Sequence, residues 1–179
     1  MAIRKDFDEI LTAEMASTAG GLAAGTMLAF ITNKIELIPA LLIFLPGFLE
    51  MRGNISGSLS ARLSSALFLG VTKPKVKKNR ILRGNVAAAM LLVVVVSLIL
   101  GLVALFANWI FFGVLDHRII LIAVIAGMLS NLIEIPVSVL TTFWLFRHGH
   151  DPQNIMGPYD TAIGDVSSII SIFIAIVMI

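Results

Sequence analysis

Residues 86–107 read VAAAMLLVVVVSLILGLVALFA, a run of 22 residues without one charged side chain. At 1.5 Å per residue, a helix of this length crosses a hydrocarbon core of roughly 30 Å. Similar apolar stretches recur along the chain, which is 58% hydrophobic and only 13% Asp, Glu, Lys or Arg. Soluble domains carry about 25% charged residues. The sequence therefore excludes a water-soluble domain and predicts an all-α integral membrane protein.

Five apolar stretches are long enough to span a membrane. They cover residues 11–31, 35–70, 86–107, 119–146 and 158–179, and a short polar segment at the membrane interface, residues 1–10, precedes them. The second stretch would measure about 54 Å as one straight helix, which is too long for a single crossing. We therefore predict one long element that is broken at Pro46 and Gly47. The fifth helix is expected to begin near Pro158, because proline is favoured in the first turn of a helix.

The positive side chains of the loops predict an orientation. With the N-terminus inside, nine Lys and Arg residues fall on the inner face and two on the outer face. The inner set is Arg4, Lys5, Lys73, Lys75, Lys77, Lys78, Arg80, Arg83 and Arg147, and the outer set is Lys34 and Arg118. Because inner loops are enriched in positive charge, we predict a multi-pass protein of the cytoplasmic membrane with its N-terminus inside and its C-terminus outside.

The basic run between residues 73 and 83 is a short loop between two predicted spans. We expect it to determine topology and to touch anionic membrane lipid, and we expect no nucleic-acid partner. The chain contains no cysteine, so disulfides and thiolate metal sites are excluded.

Ionisable side chains at membrane depth are costly, so each is a candidate for a substrate or ion path. In the second element, one stripe of polar residues shares a helical face: Glu50, Asn54, Ser58, Arg62 and Ser65. A polar face of a membrane helix must meet water or protein. Two interpretations stay open for Glu50: a place on the ion path, or a salt link to Arg52 or Arg62 that holds the element together.

Glu134 poses the same question in the fourth span. It lies on one face with Asn131, Ser138 and Thr141. It could bind a cation or shuttle a proton. It could equally pair with an arginine of the second element, and the stripe could serve interhelical hydrogen bonds alone.

Asp165 is the strongest candidate site residue, because no positive residue follows it in the remainder of the chain. Thr161 lies on the same helical face, and Gly164 is expected to leave the backbone open beside it. Carboxylate, hydroxyl and carbonyl oxygens suit a hard cation such as Mg²⁺ or Ca²⁺. Asp160 lies nearer the interface, where it could simply favour the helix N-terminus through the dipole.

A run of two histidines, His148 and His150, precedes Asp151 in the inner loop. Such a run can bind transition metals, but further ligands at defined spacing are missing, and a loop that titrates near neutral pH is the simpler interpretation. The sequence contains no nucleotide-binding loop, nucleophile elbow or His-Glu-x-x-His motif. We therefore expect neither an enzyme nor a bound cofactor.

Two stretches resemble the most recognisable segments of the MgtE divalent-cation transporter family, especially its branch related to the eukaryotic solute carrier family 41. Residues 45–70 read LPGFLEMRGNISGSLSARLSSALFLG, and residues 151–168 read DPQNIMGPYDTAIGDVSS. The first carries the Pro, Gly-Asn and Arg-Leu-Ser elements of the family. The second carries its Asp-Pro, Asn, Pro, Thr and Gly-Asp elements. The order of these elements and the five-span layout agree over nearly the whole chain.

This resemblance implies a five-helix membrane domain, residues 11–179, that acts as a homodimer with its cation pathway at the subunit interface. Asp165 would be the principal ion-binding residue, contributed by both subunits, with Mg²⁺ as the transported ion. Glu50 and Glu134 leave room for a coupling ion such as Na⁺ or H⁺. Many bacterial members place a large cytoplasmic regulatory module before the membrane domain, where this chain has ten residues. Gating by such a module is therefore not expected within this polypeptide.

Two other functions remain open from the sequence. The chain could be a membrane-embedded assembly or regulatory subunit, whose buried acids only link helices. It could also be a proton-coupled carrier of small organic cations, which would need aromatic side chains near Asp165 and Glu134. The fifth span offers only Tyr159 and Phe173, and Trp144 lies near the inner end of the fourth.

Overall fold

The computed structural model describes residues 2–35 and 40–179, and within these ranges all regular structure is α-helical. The described residues form five helices in chain order: α1 Ala2–Ile35, α2 Ala40–Phe68, α3 Arg80–Phe112, α4 Arg118–Arg147 and α5 Pro152–Met178. The all-α prediction is confirmed. The predicted beginning of the second element falls partly on residues 36–39, outside the described residues.

Three of the described helices, α3, α4 and α5, are long and apolar enough to cross a membrane. The protein is therefore a multi-pass membrane protein. Helix α3 begins where Asn79 accepts a hydrogen bond from the backbone N–H of Leu82. It ends at Gly113, whose positive φ of 69° and bond to the carbonyl of Trp109 form a left-handed cap.

The predicted break at Pro46 and Gly47 is wrong, because α2 continues through both residues. A proline in a helix interior removes one backbone hydrogen bond, which a packed helix can tolerate. Gly47 permits a close approach instead: a Cβ there would lie 2.8 Å from a methyl carbon of Leu100 in α3. The described helix, Ala40–Phe68, has 29 residues and measures about 44 Å, shorter than the 54 Å expected for the whole stretch.

The predicted start of the fifth helix near Pro158 is also wrong. Helix α5 begins at Pro152, after Asp151 accepts a hydrogen bond from the backbone N–H of Gln153. Pro158 lies inside the helix. Asp165 therefore lies about 20 Å along the helix axis from its first residue, deeper than a start at Pro158 would place it.

Helices α2, α4 and α5 pack against one another around a shared core, α3 covers α2 and α4, and α1 packs on α5. Small residues allow the helices to approach closely. A Cβ at Gly20 would lie 2.7 Å from the Cβ of Ala162, and one at Gly101 would lie 2.9 Å from the Cα of Ile120. This packing brings the conspicuous residues of α2, α4 and α5 into one region.

Candidate functional site

The centre of the site is Arg52, a fully buried arginine whose side chain joins three helices. Its Nη1 donates to Glu134 Oε1 at 2.7 Å and to the carbonyl oxygen of Asp160 at 3.1 Å. Its Nη2 donates to Asp165 Oδ1 at 2.8 Å. One guanidinium thus links α2 to a carboxylate of α4 and a carboxylate of α5.

Gly164 provides the space for this guanidinium. A Cβ at Gly164 would lie 1.3 Å from Arg52 Nη1 and 2.0 Å from its Cζ. The prediction that Gly164 leaves its backbone open to an ion is therefore wrong, because the arginine covers it. Gly164 thus leaves room for the cationic side chain, and the next residue, Asp165, supplies a carboxylate that binds it.

Asp160 lies in the third turn of α5 and is only 2% exposed. Its two carboxylate oxygens accept hydrogen bonds from Ser138 Oγ at 2.5 Å and from Ser60 Oγ at 2.6 Å. The suggested dipole role is wrong, because the helix begins eight residues earlier and the effect is confined to the first turn. Asp160 links α5 to α2 and α4 instead.

A cleft of about 590 Å³ opens beside this network, between α1, α2 and α5. Six of its lining residues carry side-chain oxygens and no positive charge: Glu14, Ser17, Glu50, Asn54, Thr161 and Asp165; Arg52 also lines the cleft. Asp165 belongs both to the ion-pair network of Arg52 and to the lining of the cleft. Its side chain is 22% exposed, and one oxygen accepts from Arg52. Asp165 therefore connects the buried ion-pair network with the open cleft.

Of the predicted site residues, Asp165, Thr161, Glu50 and Asn54 meet at the cleft. Asn54 Nδ2 donates to Glu50 Oε1 at 3.1 Å, so these two form a pair on the α2 face. Glu134 and Asp160 lie behind the cleft, in the buried network. Within the described residues, no three His, Asp or Glu side chains converge on a preformed metal site.

The structure also shows which of the ion pairs that the sequence left open for Glu50 and Glu134 are formed. Glu50 forms no salt bridge with Arg52, whose guanidinium binds Glu134 and Asp165. Arg62 donates to the carbonyl oxygen of Ser58 on its own helix. The proposed pairing of Glu134 with an arginine of the second element is observed.

Sequence reasoning missed Glu14 and Ser17, which line the cleft from α1, and it missed the central position of Arg52. Glu14 could have been found, because it is an acid inside the first predicted span. For Arg52 the burial was not visible, since a long side chain near a polar cluster can equally reach out to water.

The histidine run lies away from the cleft, at the end of the molecule where α1 begins. His150 Nδ1 lies 2.9 Å from Glu9 Oε1, and Asn154 Nδ2 donates to Glu9 Oε2 at 3.3 Å. Burial by itself raises the pKa of Glu9, but the hydrogen bonds from His150 and Asn154 and the charge of Lys5 outweigh it, so the pKa is lowered. The cluster ties α1 to the loop before α5.

The order of these features along the chain matches a known family. The model of the divalent cation transporter family MgtE matches residues 45–175, from the beginning of the α2 motif to the last turns of α5. The chain belongs to the MgtE family. Arg52, Glu134, Asp160 and Asp165 all lie within the part that matches MgtE.

Curated relatives of this MgtE chain include Solute carrier family 41 member 2 of Homo sapiens and of Macaca fascicularis. Each is 27% identical over 168 residues, which cover 88% of this chain and 29% of the relative. The Mus musculus protein is 26% identical over the same share. The chain thus spans less than a third of the length of these relatives, and the resemblance to the solute carrier family 41 branch of MgtE is confirmed. No solved structure matches the chain.

Proposed function

We propose that the chain transports divalent cations across the membrane, with Mg²⁺ as its substrate and Asp165 as the principal carboxylate on the path. The observation that carries this proposal is the cleft, where Asp165 faces an opening lined by two further acids, Glu14 and Glu50. Asn54 and Thr161 add neutral oxygens. Mg²⁺ keeps several of its waters and is held by one or two carboxylates, so an open, oxygen-lined cleft suits it.

The proposed layout has five membrane spans, with α1 and α2 crossing beside α3, α4 and α5. Contacts at one end of the bundle support this layout. Lys5 Nζ donates to the carbonyl oxygen of Gly149, and Arg147 donates to the carbonyl oxygen of Pro74. The beginning of α1, the α2–α3 loop and the α4–α5 loop therefore lie together, as a five-span chain requires. Residues 2–10 of the short interfacial segment are then the first part of α1.

This end carries all nine positive residues of the predicted inner face, which supports an N-inside, C-outside orientation in the cytoplasmic membrane. The basic loop is well defined: Asn79 Nδ2 donates to the carbonyl oxygens of Lys73 and Lys75. We propose that its exposed cations face anionic lipid headgroups of the inner leaflet.

We propose further that two copies form a homodimer with the cation path at or near their interface. The polar stripe predicted on α2 supports this, because Glu50, Asn54, Ser58, Arg62 and Ser65 are all exposed in one chain. Exposed polar side chains in a lipid-embedded helix face an unfavourable environment. A second copy, or water held between two copies, would satisfy them.

An assembly subunit without transport activity is the second candidate, and one observation favours it. Arg52 links α2, α4 and α5 through Glu134 and Asp165, which is what acids that only join helices would do. A carrier of organic cations has less support, because no aromatic side chain lines the cleft among the described residues.

The test is Mg²⁺ flux by purified protein in liposomes, with protein-free liposomes as the control. We expect Mg²⁺ flux above the control. Dependence on an imposed Na⁺ or pH gradient would indicate a coupled carrier that uses Glu50 or Glu134, and independence would indicate a channel. An absence of Mg²⁺ flux under every gradient would contradict the proposal and favour the assembly subunit.

A further inference from the structure

Arg52, which also lines the cleft, places a permanent positive charge directly beside the proposed cation-binding carboxylate. Its guanidinium is 1% exposed and lies 2.8 Å from Asp165 Oδ1. A guanidinium does not lose its proton in a protein, so this charge is fixed. Any cation that binds Asp165 from the cleft must do so beside a resident cation.

The charge of Arg52 is shared. Glu134 Oε1 binds the same guanidinium at 2.7 Å, so one positive charge serves two carboxylates. Glu134 lies behind the cleft and does not line it. The trio therefore keeps one excess negative charge, which reaches the cleft only through the partly exposed Asp165.

Arg52 is also held firmly in place. The absence of a side chain at Gly164 makes room for it, and the backbone carbonyl of Asp160 accepts a third hydrogen bond at 3.1 Å. Because the guanidinium binds one oxygen of Asp165 from the buried side, it also fixes how the carboxylate is turned. Among the described residues, the other oxygen has no hydrogen-bond donor from the protein and belongs to a side chain that lines the cleft.

We propose that Arg52 is a fixed counter-cation that positions Asp165 and weakens its affinity for the transported ion. Conduction requires an ion site that binds strongly enough to fill and weakly enough to empty. Without Arg52, the full charge of Asp165, with that of Glu134 behind it, would hold a divalent ion tightly. By neutralising part of this charge, Arg52 sets the release rate. This inference rests on the proposed function.

Three variants separate this role from a merely structural one. Arg52→Gln removes the resident charge and should bind Mg²⁺ roughly tenfold more tightly, the effect of one charge about 6 Å from a divalent ion in a water-like dielectric. Glu134→Gln leaves the whole charge of Arg52 on Asp165 and should bind Mg²⁺ more weakly. The double variant restores the native charge balance and should bind Mg²⁺ with near-native affinity. Arg83→Gln, which removes an exposed charge outside the cleft, is the matched control.

The measurement is calorimetric titration of detergent-purified protein with Mg²⁺, followed by the concentration dependence of flux in liposomes. Arg52→Gln should lower both KM and the maximal flux, which loss of packing alone would not do. An Arg52→Gln protein that unfolds cooperatively but binds Mg²⁺ with native or weaker affinity would overturn the inference. If that variant does not fold, native affinity in Glu134→Gln would overturn it. Failure of the native protein to bind Mg²⁺ would instead contradict the proposed function, and this inference with it.

Discussion

Gly164 is the position at which the site tolerates an added side chain least. A methyl group there would overlap Arg52 Nη1 and Cζ, so the guanidinium would have to leave Glu134 and Asp165. We expect Gly164→Ala to lower the free energy of unfolding by about 1–3 kcal/mol, as overpacked core positions do. Thermal unfolding in detergent measures this.

The matched control lies on the same helix. A Cβ at Gly157 meets nothing within 4 Å. Gly157→Ala should therefore be neutral or stabilising by about 0.5–1 kcal/mol, because alanine is the better helix former. Equal changes in the free energy of unfolding for the two substitutions would contradict the claim that Gly164 makes room for the guanidinium of Arg52.

Glu9 gives a pH dependence at the end of the molecule where α1 begins. Because its pKa is lowered in the folded protein, its contribution to stability is present above the ordinary value of 4.5 and is lost as the pH falls through the lower folded pKa. We expect hydrogen exchange in the first turns of α1 to quicken over this acidic range. In Glu9→Gln the same segment should exchange faster at neutral pH and respond less to acid. A native segment that is equally protected at both pH values would contradict the assignment.

At the scale of elements, the exposed polar stripe of α2 makes the homodimer testable. The chain has no cysteine, so single cysteines can be introduced without background. Ser58→Cys lies in the middle of the stripe and should form a disulfide between two copies in oxidised membranes. Val95→Cys, on an exposed apolar part of α3, should stay monomeric. Cross-linking at position 95 but not at position 58 would contradict the proposed interface.

Helix positions followed from sequence where apolar runs were long and bounded by clear signals. Residues 86–107 and 119–146 lie within α3 and α4 to within a turn or two at each end. The start of α5 was missed because Pro158 looked like a first-turn proline, whereas Asp151 and Pro152 already supply the cap. The supposed break in α2 failed because the effect of a proline depends on its packing neighbours, and Leu100 is far away in sequence.

Part of the candidate site could also be predicted from the sequence. Glu50, Asn54, Thr161 and Asp165 could be selected because acids and polar stripes are rare in apolar helices. That Asp165 and Glu134 share one arginine could not be predicted, because it depends on how three helices pack. Gly164 was misinterpreted for that reason: one sequence does not show which side chain fills the space beside a glycine.

At the scale of the whole molecule, the end that carries the basic loop should face the cytoplasm. Lys77 lies in that loop, and Val114 lies in the loop between α3 and α4, at the opposite end of α3. We expect a membrane-impermeant maleimide to label Val114→Cys in intact cells, and Lys77→Cys only after permeabilisation. The reverse pattern would contradict the orientation drawn from the positive charges.

The central claim is that Asp165 carries the transported ion, and Mg²⁺ flux in liposomes tests it most directly. Asp165→Asn keeps the size of the side chain and removes its charge, and Asp116→Asn, in an exposed pair with Arg118, is the matched control. We predict that Asp165→Asn loses Mg²⁺ flux while its oligomeric state and thermal unfolding stay close to native, and that Asp116→Asn transports normally. Native flux in a folded Asp165→Asn protein would contradict the claim.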